Sequence, residues 1–290
     1  MRNRITAFIV ALMLLPPLAL TLAGQEWQPP AALEGAAWLP ALSATGFVIL
    51  FCILLDTLTF RRTGHSLWRS QRSYLLWCGV AGAIMGMLLA WLNLFADSWA
   101  TPSASASASL LFAMLCATSL LPAVLITRLW LAGLVKLGTR RFALPAPPAE
   151  PAAKSLLFAA LIGLMLGPIH IHELGWLFWL SPLLLLVALQ LLWHESNVFS
   201  GLSQGDWSRL LLGALSAILV CGIALATYRS TGGAVYHASN IWQQLYSFAL
   251  FGLLSLQIGD IVAEHWRGKP RGEVFKKKAF PIPVVSKKDQ

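Results

Sequence analysis

Charge is what this sequence has least of. Only 11% of its 290 residues are Asp, Glu, Lys or Arg, against about 25% in a soluble globular chain. Its longest polar stretch is the 24 residues after Trp266, too short for an independent core, so a soluble domain is excluded. There are four cysteines, Cys52, Cys78, Cys116 and Cys221. None forms a C-x-x-C pair, which excludes a dithiol redox motif and a zinc ribbon; they read as small buried apolar residues. No lysine lies at the centre of an apolar run, which excludes a retinal-type Schiff base, and no histidine lies mid-run. The P-loop, H-E-x-x-H, D-x-D and Gly-x-Gly dinucleotide patterns are all missing.

What is there is apolar. Hydrophobic residues make up 57% of the chain and the mean hydropathy is +0.69. Eight runs are long enough to cross a bilayer, at about 5–24, 38–60, 74–95, 110–131, 155–171, 175–193, 209–228 and 241–265. Threading them in and out places all but one of the 21 Lys and Arg residues on one side; the exception is Arg229. Basic residues are retained in the cytoplasm. The expectation is an all-α, polytopic integral membrane protein, a bundle of about eight transmembrane helices in a bacterial-type inner membrane, with both termini cytoplasmic. The net charge of +9 then reflects retention and attraction to anionic lipid. Nucleic acid is not an expected partner, because the basic residues flank spans and interleave with no aromatic platform.

The first run follows Arg2 and Arg4 and contains Pro16 and Pro17. It reads as a retained anchor; the competing reading is a signal peptide cleaved near Gly24. An Ala/Pro-rich stretch, 139–154, reads as an extended cytoplasmic linker. It separates a first four-span block, 1–138, from a second, 155–266, and a basic tail, 267–290, is expected to be disordered. Runs five and six are short and separated only by His172, Glu173 and Leu174. They are either two crossing helices or a hairpin that dips in and returns. An offset of 136 residues lays run three on run seven, matching Leu75, Leu76, Ala81, Gly86, Leu89 and Ala90 with Leu211, Leu212, Ala217, Gly222, Leu225 and Ala226. The two runs point the same way, which suggests a parallel repeat of the kind transporters use; Leu, Ala and Gly also coincide by chance in such segments.

Two polar constellations carry candidate chemistry. At the outer face stand His170, His172 and Glu173, with His237 in the next outer loop. Imidazole and carboxylate suit a divalent zinc or copper ion. In an extended segment His170 and His172 would point the same way, whereas a helix would splay them, so a metal there needs a non-helical turn at Gly167-Pro168. Solvated interfacial histidines are the alternative, and no cofactor is required. Near the inner face stand Asp56, Arg128, Asp260 and Glu264, with Glu195 nearby. A charge within a span normally has a partner, and Arg128 against one of the three acids is the natural pairing. Gln257 lies one turn before Asp260, where it could bridge. Such carboxylates serve proton- or ion-coupled transport, but they also serve as static ion pairs. Gly201-Leu202-Ser203-Gln204-Gly205 matches G-x-S-x-G, yet no strand precedes it, so a turn is expected there and not a nucleophile elbow.

These features favour a transporter, or a membrane subunit of a transport or assembly complex, in contact with the bilayer and with other membrane subunits. The alternatives are a membrane enzyme on a lipid or polyprenyl-linked substrate and a structural subunit without a site.

Overall fold

A computed structural model describes residues 39–96, 98–100, 106–134, 145, 148–193, 195, 197–233, 236–237 and 241–267. The first expected span, most of the linker before 148 and the tail from 268 onward lie outside the described residues. The elements in order are α1 (Leu39–Thr63), α2 (Leu67–Ser70), α3 (Arg72–Ala96), β1 (Trp99–Ala100), α4 (Ala106–Leu134), α5 (Ala149–Leu166), α6 (Ile171–Leu192), α7 (Ser208–Ser230), β2 (Tyr236–His237) and α8 (Ile241–Arg267). Among the described residues, all of these but α2, β1 and β2, seven helices, are long and apolar enough to cross a membrane. The protein is a helical, multi-pass membrane bundle.

Helices are the solution the bilayer dictates, since each backbone N–H and C=O must be satisfied within its own segment. The buried hydroxyls follow the same rule. Thr45 donates to Ala41 O at 2.8 Å, and Thr59 to Leu55 O at 2.8 Å. Pro122 and Pro182 sit inside α4 and α6, as transmembrane helices allow when neighbours re-satisfy the freed carbonyls.

Two expectations about boundaries change. The linker was read as extended through 154, but α5 begins at Ala149. Pro151 falls in its first turn, where no backbone N–H is needed, and Glu150 pairs with Lys154 at 2.7 Å. Runs five and six become two antiparallel helices, α5 and α6, joined by a turn at 167–170. At 18 residues α5 is about 27 Å long, slightly short of a hydrocarbon core of about 30 Å. Close approach comes from Gly163 against Ser181 and Leu177, and from Gly167 against Phe178.

The remaining helices pack as two similar halves. α4 packs on α3 and α1, and α8 packs on α7 and α6. Across the middle, α3 packs on α8 and α4 on α7, while α4 and α8 touch each other. α1 packs on α7, and α6 reaches α3 through Phe178 on Leu92 and Ala96. Exchanging α1, α3 and α4 for α6, α7 and α8 leaves this pattern unchanged. The structure sets the offset between halves at 135, one less than the identities suggested. Adding 135 carries Arg72–Ala96 to 207–231, over α7, and Ala106–Leu134 to 241–269, over α8. Contacts obey the same register. Gly82 packs on Ala117, and their counterparts Ala217 and Gly252 also pack together. At 136, Leu75 is buried while Leu211 is exposed, and Leu76 is exposed while Leu212 is buried. The matched identities therefore sit on different helix faces, one residue (about 100°) apart.

Candidate functional site

The helix order collects one set of helix ends, including those of α1, α4, α6, α7 and α8, at the end rich in Arg and Lys, called here the basic end. Asp56, Arg128, Asp260 and Glu264 all lie there. The structure divides them. Asp56 is buried, and its Oδ1 accepts the backbone N–H of Trp68 at 3.1 Å. Beside it Ser66 caps α2 by accepting from Arg69 N–H, and the Arg69 guanidinium lies 3.7 Å over the Phe60 ring. Asp56 therefore folds the basic 61–72 segment back onto α1, a positioning task.

Asp260 forms an ion pair, but with Arg209 and not with Arg128. Arg209 lies in the first turn of α7, and α7 packs on α8, so the pair joins the two helices at their basic ends. Glu264, one turn further along α8, is buried. Arg128 feels the charge of Asp206, in the connection before α7, and lies near Tyr74. Its Nε is buried with no hydrogen-bond acceptor among the described residues. Tyr74 donates its hydroxyl to Gly259 O at 3.1 Å, which brings α3 to the same place on α8.

A turn deeper lies a pair of fully buried amides, Gln190 on α6 and Gln257 on α8. Their orientations fix one another. Val198 N–H donates to Gln257 Oε1 at 2.9 Å, so Gln257 Nε2 faces Gln190 and donates to its Oε1. That leaves Gln190 Nε2 as a buried donor with no acceptor among the described residues, a group that costs about 1–3 kcal/mol unless something accepts from it. Gln257 is seven residues inside the end of the apolar span at Glu264, about 10 Å along the helix, so it lies within the span but nearer its basic end than its middle.

Val198 was expected in a simple loop between spans. Instead Asn197 and Val198 enter the bundle, while the 200–206 turn that follows stays largely at its surface. Asn197 and Val198 are buried, and Val198 packs with Cys78, Leu121, Leu183 and Leu256. Asn197 Oδ1 accepts Phe199 N–H at 2.9 Å, and Asn197 N–H donates to Ser200 Oγ at 2.8 Å. The G-x-S-x-G residues form a short 3-10 turn ending at Gly205, whose φ of 76° suits glycine. Ser203 is exposed and donates to Ser200 O; the described element before the turn is the helix α6, not a strand, so the turn reading holds. Non-helical backbone at depth is tolerated where protein encloses it or where it lines a cavity.

At the opposite end, His170 is the residue before α6, and His172 and Glu173 lie in its first turn. All three are exposed. The extended geometry that would align the two histidines is not formed, because helix begins at Ile171. Among the described residues no three His, Cys, Asp or Glu side chains gather. His237 lies in β2, with its backbone paired to Trp99 and Ala100 paired to Tyr236; its side chain lies outside the description. Arg229 is exposed in the last turn of α7.

The second half differs from the first at Arg209, Gln257 and Asp260. At offset 135 the counterparts of Arg209 and Asp260 are Tyr74 and Leu125, which meet over Gly259, and the counterpart of Gln257 is Pro122. The scaffold thus accommodates this contact without an ion pair. Sequence reading missed Arg209, Gln190 and Val198. A lone glutamine inside the apolar run at 183–193 was the available signal for Gln190. Nothing local marks Val198. No protein family, characterised protein or solved structure matches the chain.

Proposed function

We propose that this protein is a transporter, or the transport-competent membrane subunit of a larger complex, and that the tract Gln190, Gln257, Arg209, Asp260, Glu264 and Arg128 lines its solute pathway. We place it in a bacterial-type inner membrane with the basic end in the cytoplasm, because retention of Lys and Arg sets orientation. One observation carries the reading. Polar and charged groups occupy the interior of the second half at positions where the first half packs Tyr74, Pro122 and Leu125. Intramembrane ionisable groups are costly and are candidate functional sites by default, and helix halves related by an axis along the membrane normal recur in transporters. A lipid-directed enzyme is less well supported, since the only nucleophile motif is an exposed turn.

The test needs no identified solute. With the four native cysteines replaced, Gln190→Cys and Ser255→Cys, the latter at a buried serine of α8 two residues before Gln257, are introduced singly and treated with a membrane-impermeant maleimide from each face of the membrane. Modification from both faces is expected of a transport pathway. Modification from one face alone would favour an enzyme pocket, and modification from neither would identify a static subunit.

A further inference from the structure

We propose that the 61–72 segment is a binding site for anionic phospholipid. Arg61, Arg62, Arg69 and Arg72 hold headgroup phosphate, and Trp68 seats the segment at the membrane interface. The inference does not rest on the transport reading, because the segment belongs to the first half and shares no residue with the polar tract.

A fixed fold presents these side chains. α1 ends at Thr63, and Gly64, with a φ of 76°, turns the chain. Ser66 caps α2, Leu67 packs on the cluster of Leu55, Leu75 and Ile126, and Trp68 N–H reaches back to Asp56 Oδ1. Asp56 lies seven residues before Thr63, about 10 Å along the helix. The returning backbone therefore runs beside the last two turns of α1 and not beyond its end. The Arg69 guanidinium lies 3.7 Å over the ring of Phe60, the last apolar residue of its run. Arg72 Nε donates to Trp68 O at 3.3 Å. At 25 residues α1 is about 37 Å long, more than a hydrocarbon core of about 30 Å, so its basic end stands among the headgroups. Trp68 is exposed, and tryptophan is a side chain that this interface favours.

The array lacks a counter-ion. Asp56 is the single acidic residue between 35 and 96, and its Oδ1 accepts a backbone N–H. Among the described residues none of the four arginines forms an ion pair. Four cations on a folded segment call for an anion, and a guanidinium matches phosphate with two parallel N–H bonds. Retention of positive charge does not by itself explain the array. The connection between α6 and α7 is the corresponding basic-end loop of the second half, and from 194 to 207 it has no Lys or Arg. A topology signal also needs no fold. The neighbouring surface selects lipid over a soluble phosphate. Ile49, Ile53 and Phe60 fall within about 40° of one another around α1, and the two isoleucines are exposed among the described residues. Acyl chains can lie along that face with their phosphate at Arg69.

The full chain, purified in detergent, is titrated with cardiolipin, and bound lipid is counted by native mass spectrometry. Wild type is expected to bind cardiolipin about tenfold or more tighter than phosphatidylcholine, whose headgroup carries no net charge. Arg69→Lys with Arg72→Lys keeps the charge and the orientation signal but loses the planar fork, and should weaken binding about fivefold. Asp56→Ala separates a site from diffuse attraction by sign. It keeps all four arginines and makes the net charge more positive, so diffuse attraction would strengthen binding. A site that Asp56 holds folded should instead weaken about fivefold, through lost preorganisation. Equal affinity for the two lipids, full affinity in the double lysine variant, or tighter binding in Asp56→Ala would each overturn the proposal. So would displacement of cardiolipin by free pyrophosphate at matched phosphate concentration, which would reassign the arginines to a soluble anion. If Asp56→Ala fails to fold, the lysine pair and the lipid comparison still decide it.

Discussion

Where α3 and α4 set Tyr74 beside Leu125, α7 and α8 set Arg209 against Asp260. Where α4 turns through Pro122, α8 buries Gln257. The helices, their order and their neighbours correspond; the chemistry at the basic end does not. The first half serves as an internal control for the second. It indicates what the scaffold needs in order to pack, and by subtraction which residues of the second half packing leaves unexplained. Between helices in lipid the drive to associate is close packing and hydrogen bonding, not water exclusion, so an uncharged contact such as that of Tyr74 and Leu125 suffices at these positions.

The comparison can be broken most severely at a glycine. Gly86 of α3 lies against the Ala113 backbone and the Ala117 side chain. Gly86→Leu should separate α3 from α4 and cost about 3 kcal/mol or more, read as a large drop in the thermal midpoint of the purified protein in detergent. A midpoint within error of wild type would mean that α3 and α4 are not packed as described.

The amide pair gives the next largest effect. Gln257→Leu strands the Val198 N–H and the Gln190 side chain, and should cost about 1–3 kcal/mol. The double change Gln190→Leu with Gln257→Leu removes the stranded amide and should recover much of that loss, because apolar replacement of both partners is nearly neutral. Recovery of stability without recovery of two-sided cysteine labelling would separate function from scaffold. A double variant no more stable than the single one would make the amides structural, and the two halves would then differ for packing reasons.

Asp56→Ala should cost about 0.5–2 kcal/mol, as loss of a helix-capping acceptor does, with limited proteolysis increased at the 61–72 segment and pathway labelling unchanged. Loss of labelling in that variant would return Asp56 to the pathway. The smallest effect has the opposite sign. Gly222, which the identities pair with Gly86, has nothing within 4 Å of the position a Cβ would take. Gly222→Ala should stabilise by about 0.5–1 kcal/mol through helix propensity. A destabilising result would restore the 136 register and the equivalence of the two glycines.

Much of the fold was legible because the bilayer imposes it. Each of the seven described spanning helices corresponds to an apolar run, with boundaries moved mainly where a proline-rich helix start looked like a linker. The repeat was legible only as a tendency, since Leu, Ala and Gly match at many offsets; the face each residue buries is a three-dimensional fact. The candidate site was half legible. Asp260, Glu264 and Arg128 announced themselves as charges in apolar runs, and Gln257 as a bridge. The pairing did not, because Arg209 reads as the first residue after a loop and Asp56 as one more buried acid. Only the packing of α7 on α8 joins Arg209 to Asp260, and only the folding of 61–72 onto α1 takes Asp56 out of the network.

By itself the sequence determined that the chain enters a membrane, roughly where each helix begins and ends, and which end of the bundle is basic. Those properties depend on local composition, through the cost of exposing backbone and charge to hydrocarbon. Tertiary structure decided the one-residue register between the halves, the partners of Asp56 and Asp260, and the burial of Val198 against Gln257 inside the bundle. Each of these depends on which helix faces meet, and helices of nearly uniform apolarity carry little in their own sequence to say which face that is.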